Sequence, residues 1–270
     1  KGNIIKTFTS MNLDEKIISA LKDLDYKEAT EIQKKAIPIA LKKRDILAAA
    51  QSGTGKTAAF LLPILTELIA NKQPNKPVLR TLILVPTREL ASQISKAAED
   101  LGKYLDVQKL AVFGGVSTKE QEKKIAKGLD ILVATSGRLM EHLKNGTVDL
   151  SSVTTVVIDE VDTMLDMGFL EDIEKILPSV GPKRQIMMFS ATMNQNVKKL
   201  AKEFLTDPVV IEVAQQRSAV KIIDQQIVLV DEANKAAALS YIIGSKNYSQ
   251  VLVFVNMKIE ADTLVEHLEL

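Results

Sequence analysis

From about residue 45 the chain alternates short unbroken apolar runs with longer stretches whose apolar residues recur at helical spacing. The runs are DILAAA, TLILVP, KLAVF, DILVAT, TTVVID, QIMMFS and PVVIEV. Continuous Val, Ile and Leu runs of this length suit strands buried on both faces, and the stretches between them have room for crossover helices. The pattern predicts an α/β fold built on a doubly wound parallel sheet. Ahead of it, NLDEKIISALKDL and TEIQKKAIPIALKK predict two helices, with Asn12 and Thr30 as N-caps and Pro38 bending or interrupting the second.

After PVVIEV the periodicity weakens through residues 214–223, whose Gln, Ser and Lys content suits a linker. A second βα series follows over 224–270: a strand QQIVLV, a helix through ANKAAALSYII, a strand VLVFV and a helix from Lys258 onward. The predicted organisation is thus a first domain over 1–213, the linker, and an incomplete second domain. So short a second sheet buries little apolar surface by itself. It is expected to lean on the first domain, to pair with another copy, or to be part of something longer.

Composition changes this picture little. Lys and Arg total 35 against 34 Asp and Glu, so a nucleic acid would have to meet a local basic surface and not a net field. The chain has no cysteine and two histidines, His142 and His267, which excludes disulfides and thiolate metal sites and leaves little for zinc. The first residues, KGNIIKTFTS, carry no apolar signal segment, and no apolar stretch approaches the roughly 18 residues of a membrane span. The expectation is a soluble, cytoplasmic protein without a membrane partner.

Two stretches carry chemistry. AAAQSGTGKTAAF follows a strand and opens an amphipathic helix. Gly53 and Gly55 allow backbone angles that let successive N–H groups turn inward around phosphate oxygens at a helix N-terminus. Lys56 is placed to reach the β and γ phosphates of a nucleotide, and the Thr57 hydroxyl to take a magnesium position; Ala50 stands where the usual pattern begins with Gly. The second stretch is VVIDEVD, with three carboxylates at the end of an apolar run. Such a cluster repels itself unless a cation compensates, which makes Asp159 the candidate magnesium ligand and Glu160 the candidate base for an attacking water. The simpler alternative is helix capping, for which Asp162 is the better candidate.

At this point the residues resemble the DEAD-box ATP-dependent RNA helicases, of the bacterial type. ATEIQ (29–33) is similar to the family's Q motif, AQSGTGKT to motif I, PTRELA (86–91) to motif Ia and TSGR (135–138) to motif Ib. DEVD (159–162) resembles motif II, SAT (190–192) motif III and VLVFVN (251–256) motif IV. Ala29, Asp25, Ser136 and Val161 depart from the usual letters, and nothing in this chain matches motif V or motif VI, which supplies the arginine finger.

The resemblance implies a RecA-like fold that closes with a second such domain over ATP and magnesium and clamps single-stranded RNA, bending it so that a duplex strand is released. It implies ATP binding by Phe8, Tyr26, Thr30, Gln33, Gln51, Ser52, Gly53, Thr54, Gly55, Lys56 and Thr57, with Phe8 stacking on the base and Gln33 reading the adenine edge. Pro86, Thr87, Arg88, Gly114, Gly115, Thr135, Ser136, Gly137 and Arg138 all follow strand ends, where open α/β sheets place ligands. They would hold RNA by its backbone without reading sequence. Arg88 with Glu89 also reads as a local salt bridge, and Gly114 with Gly115 as a plain turn. Ser190 and Thr192 would couple to Asp162 across the domain interface, or cap the helix that follows.

Overall fold

The computed structural model describes residues 7–51, 53–72, 77–213, 224 and 226–268; the predicted linker lies outside them. All seven apolar runs are strands: β1 (Ile46–Ala49), β2 (Thr81–Val85), β3 (Lys109–Val112), β4 (Ile131–Thr135), β5 (Thr155–Ile158), β6 (Gln185–Ser190) and β7 (Val209–Glu212). They pair in parallel in the order β3-β4-β2-β5-β6-β1-β7. Alternate residues of one strand serve opposite cores. Ile83, Val85, Met187 and Phe189 enter one apolar layer, and Leu82, Leu84, Ile186 and Met188 the other.

Helices cover both faces. The first layer takes α1 (Glu15–Asp23), α2 (Glu31–Ala40), α3 (Lys56–Ala70) and α4 (Arg88–Leu101), through Ile17, Ile37, Phe60 and Ile94. The second takes α6 (Ser136–Lys144), α7 (Val161–Asp166), α8 (Leu170–Ile176) and α9 (Gln195–Phe204), through Leu139, Met164, Ile173 and Leu200. The short α5 (Thr118–Ile125) follows β3. This is the RecA-like doubly wound arrangement, with the connecting loops emerging at the carboxyl ends of the strands.

Local chemistry differs from expectation at several ends. Asp14, not Asn12, caps α1 by accepting from the Lys16 amide at 2.8 Å; Asn12 turns the chain before it with φ +56°. Thr30 does cap α2, in a capping box with Gln33. Pro38 neither ends nor splits α2, which runs through it to Ala40, although it removes the one helix hydrogen bond its N–H would have made to Lys34. Asp162 does not cap α7: Glu160 holds that position, and Asn194 caps α9.

The chain divides into two units, residues 1–215 and 216–270. The second contains α10 (Lys235–Lys246) and α11 (Lys258–Leu268), as predicted, but residues 226–230 and 251–255 form no strand ladder. Neither helix buries a residue, and Ile227, Leu229, Leu252 and Phe254 are almost wholly exposed. Two short segments without further strands gain too little from pairing to form a sheet. Among the described residues no helix is long and apolar enough to cross a membrane.

Candidate functional site

The end of β1 is held against the end of β6, where the Ala50 amide donates to the Ser190 carbonyl at 2.9 Å. The glycine loop turns from that point. Gly53 has φ +81° and Gly55 φ +93°, both left-handed, and Thr54 closes the turn by donating its hydroxyl to the Gln51 carbonyl at 2.7 Å. Ser52 lies outside the described residues. Gly55 is the N-cap of α3, so Lys56 and Thr57 begin that helix.

Lys56 is folded inward, 6% exposed, and its ammonium has no hydrogen-bond acceptor among the described residues. Its nearest counter-charge is Asp159 Oδ1, 3.7 Å away and itself only 2% exposed. Burial pushes the Asp159 carboxyl up to about 6, against the Lys56 charge and the Glu160 amide, which donates to Asp159 Oδ1 at 2.9 Å. Glu160 itself sits at φ +54°, a strained angle for a non-glycine residue. A buried ammonium lacking acceptors, at a helix N-terminus after a left-handed glycine turn, fits anionic phosphate oxygens. The adjoining Thr57 hydroxyl and Asp159 carboxylate are the hard-oxygen donors that magnesium takes alongside phosphate and water.

The neighbouring Q segment packs directly against the glycine loop. Gln33 is buried, with its Oε1 accepting from the Thr30 amide at 2.9 Å and its Nε2 donating to the Gly55 carbonyl at 3.1 Å. Its amide therefore ties the start of α2 to the glycine loop, with one acceptor lone pair of Oε1 and one N–H of Nε2 beyond these two bonds. Phe8, expected to stack on a base, is 5% exposed and part of the core, edge-on to Tyr26 with ring centroids 6.3 Å apart. Tyr26, 40% exposed, is the ring of the pair that offers an open face.

Asp162 faces the end of β6. Its Oδ2 accepts from the Thr192 amide at 2.9 Å and the Thr192 hydroxyl at 3.0 Å, and its Oδ1 from the Ala191 amide at 3.4 Å. Burial would raise its pKa, but Ser190, Thr192 and these amides together hold it below the ordinary value. The Ser190 hydroxyl is buried without a well-formed hydrogen bond of its own, so Thr192 carries the contact.

The remaining candidates lie on three neighbouring strands, β2, β4 and β3. Thr87, after Pro86, caps α4 by accepting from the Leu90 amide, while Arg88 pairs with Glu89 at 2.6 Å on the exposed surface. Gly115 turns with φ +84°, and a Cβ on it would lie 3.6 Å from Arg88 Nη1, which brings these two loops together. Gly114 and Gly137 face open space. Thr135 is the N-cap of α6, and the Ser136 hydroxyl behind it is buried without a partner among the described residues.

Arg138 is the most enclosed of these candidates' charged side chains. Its side chain is only 9% exposed, with Nε paired to Glu141 at 2.9 Å and Nη1 donating to the Val116 carbonyl at 3.0 Å and Gln121 Oε1 at 2.9 Å. These partners draw Nε and Nη1 toward α5, α6 and the loop after β3. Gln121 and His142, joined Oε1 to Nε2 at 3.0 Å, complete this cluster; Gln121 was not singled out from the sequence, and His142 only as one of two histidines. The available signal was Gln121 itself, an amide on the core-facing side of an amphipathic helix.

A parallel sheet with a left-handed glycine loop, a buried lysine at one strand end and paired acids at another defines a RecA-like nucleotide-binding domain. The DEAD/DEAH box helicase family matches residues 30–200, and the chain belongs to that family. It is 38% identical over 262 residues to the DEAD-box ATP-dependent RNA helicase RhpA of Helicobacter pylori, covering 97% of this chain and 52% of that protein. It is 36% identical over 264 residues to the DEAD-box ATP-dependent RNA helicase CshA of Bacillus subtilis, covering 98% and 53%. The chain thus spans about half the length of the curated relatives it matches. Among solved structures, a DEAD box protein from the hyperthermophile Methanococcus jannaschii superposes with a TM-score of 0.73 at 32% identity, over 97% of this chain and 70% of that one.

Proposed function

We propose that this chain is the ATP-binding and RNA-binding part of a cytoplasmic, ATP-dependent RNA helicase, in which RNA-stimulated ATP hydrolysis drives clamping of single-stranded RNA and local duplex unwinding. The observation that carries the reading is the buried, acceptor-free ammonium of Lys56 beside Asp159, behind a left-handed glycine loop. Lys56 and the loop amides bind the β and γ phosphates, and Thr57 and Asp159 hold magnesium. When bound, magnesium supplies charge neutralisation for phosphoryl transfer. Glu160, beside Asp159 but pointing off a strained turn, orients and deprotonates the attacking water.

RNA lies across the ends of β3, β4 and β2, where Gly114, Gly115, Gly137 and the cap Thr135 expose backbone and hydroxyl groups, and Arg88 adds an exposed cation. Thr192 and Asp162 relay the state of the phosphate site to whatever packs on that edge. The test is equilibrium binding of Mg–ATP and of a fluorescein-labelled oligouridylate to this chain. Binding of both, with ATP preferred over GTP, is expected; failure to bind either overturns the proposal.

A second reading is favoured by the second unit, whose helices bury no residue. On it, this chain alone is a nucleotide- and RNA-binding module with little or no catalysis, because an arginine finger contributes about three to five orders of magnitude in rate. Robust unwinding by the 270-residue chain would overturn that reading. The exposed Ile227, Leu229, Leu252 and Phe254 also support association of copies through residues 224–270, which a monomer by light scattering at high concentration would contradict.

A further inference from the structure

The loop after β3 and the N-terminal turn of α6 are two separate backbone segments, yet one side chain joins them. Gln121, on α5 and 5% exposed, donates Nε2 to the Phe113 carbonyl at 3.2 Å, immediately before Gly114. Its Oε1 accepts from Arg138 Nη1 at 2.9 Å and faces His142 Nε2 at 3.0 Å, both on α6. Arg138 then returns to the same loop through the Val116 carbonyl at 3.0 Å. The loop is thus gripped on either side of Gly114 and Gly115.

The chemistry leaves this amide one orientation. Facing the Phe113 carbonyl it must present its NH₂, and facing a guanidinium it must present its oxygen. The two lone pairs of Oε1 then serve Arg138 and the Nε2–H tautomer of His142, whose Nδ1 is buried without a partner among the described residues. Swapping any member leaves a buried donor or acceptor unpaired, so the three side chains stand or fall together.

We propose that Gln121 is a positioning residue for RNA: through Arg138 it locks the Gly114–Gly115 loop in register with the N-terminus of α6, so that both segments meet successive phosphates of one strand as a rigid pair. The inference rests on the RNA reading above and assigns Arg138 an internal role within it. Backbone contacts of this kind carry position and not sequence information, and a loose pair must be ordered at binding, with a loss of affinity.

The test uses the full chain with Mg–ATP and a fluorescein-labelled oligouridylate. Gln121→Leu is expected to weaken oligouridylate binding about tenfold, as for loss of a small buried hydrogen-bond network, while Mg–ATP affinity is unchanged. Arg138→Met is expected to do the same, and the double variant no more than either alone, because both cut one linkage. Unchanged oligouridylate affinity in Gln121→Leu, parallel loss of both ligands, or multiplying losses in the double variant would overturn the proposal. Should Gln121→Leu fail to fold, Gln121→Glu keeps the volume and both acceptor contacts but loses the donation to Phe113; its oligouridylate and Mg–ATP affinities are read in the same way. Absence of oligouridylate binding by the unaltered chain would instead sink the RNA reading itself.

Discussion

The Lys56 ammonium stands 3.7 Å from the Asp159 carboxylate, both side chains buried, too far apart to hydrogen-bond and too close to ignore each other. On the proposed function the pair is half of an arrangement that phosphate and magnesium complete. Lys56→Met is therefore expected to lower Mg–ATP affinity at least about tenfold, the worth of a charge-assisted bond. It also leaves Asp159 without its cation, at a cost of about 3 kcal/mol in stability. Calorimetric titration and thermal melting read the two effects separately.

Gly55 and Gly137 should respond in opposite ways to alanine. At Gly55, φ is +93° and a Cβ would stand 2.5 Å from Gln33 Nε2, so Gly55→Ala strains the turn and breaks the tie to α2. A loss of about 1–3 kcal/mol is expected, with weaker nucleotide binding. At Gly137 nothing lies within 4 Å, so alanine in this helix should add about 0.5–1 kcal/mol of stability. Its methyl would nonetheless occupy the approach to the α6 N-terminus and weaken oligouridylate binding. Melting curves and anisotropy on the same samples check the split.

His142 gives the fold a pH dependence of known sign. Burial, and then the Arg138 charge, lower its pKa, with Glu122 and Glu141 opposing. A depressed folded value means the unfolded chain takes up the proton first, so the stability contribution is complete above about 6.5 and is lost as pH falls below it. His142→Asn should flatten that part of the stability-versus-pH curve, measured by denaturant unfolding at a series of pH values.

Thr192 donates both its amide and its hydroxyl to Asp162. Thr192→Val keeps the amide and removes the hydroxyl, which should cost about 1 kcal/mol and leave Mg–ATP affinity intact. The proposed coupling role predicts in addition that stimulation of ATP hydrolysis by RNA falls. Unchanged stimulation, measured by phosphate release, would confine the contact to a structural role.

The seven strands of the sheet were legible because burial on both faces leaves an unbroken apolar run, a signal contained within each segment. The glycine turn and the helix it opens were legible for the same reason: glycine angles and a helix start are local. The wiring of Gln33, Phe8 and Arg138 was not legible, because their side chains meet partners distant in the chain: Gly55, the core with Tyr26 edge-on, and the Gln121 cluster. Residues 226–230 and 251–255 show the opposite limit, having a strand's apolar pattern without the neighbours a strand needs.

The most direct test of the account is competition between RNA and DNA for this chain. With Mg–ATP present, a fluorescein-labelled oligouridylate should bind, with affinity that falls as salt rises and is indifferent to base sequence. It should be displaced by unlabelled RNA more readily than by the matched deoxyoligonucleotide. No binding, or equal or better displacement by DNA, would contradict the claim that the ends of β3, β4 and β2 form an RNA site.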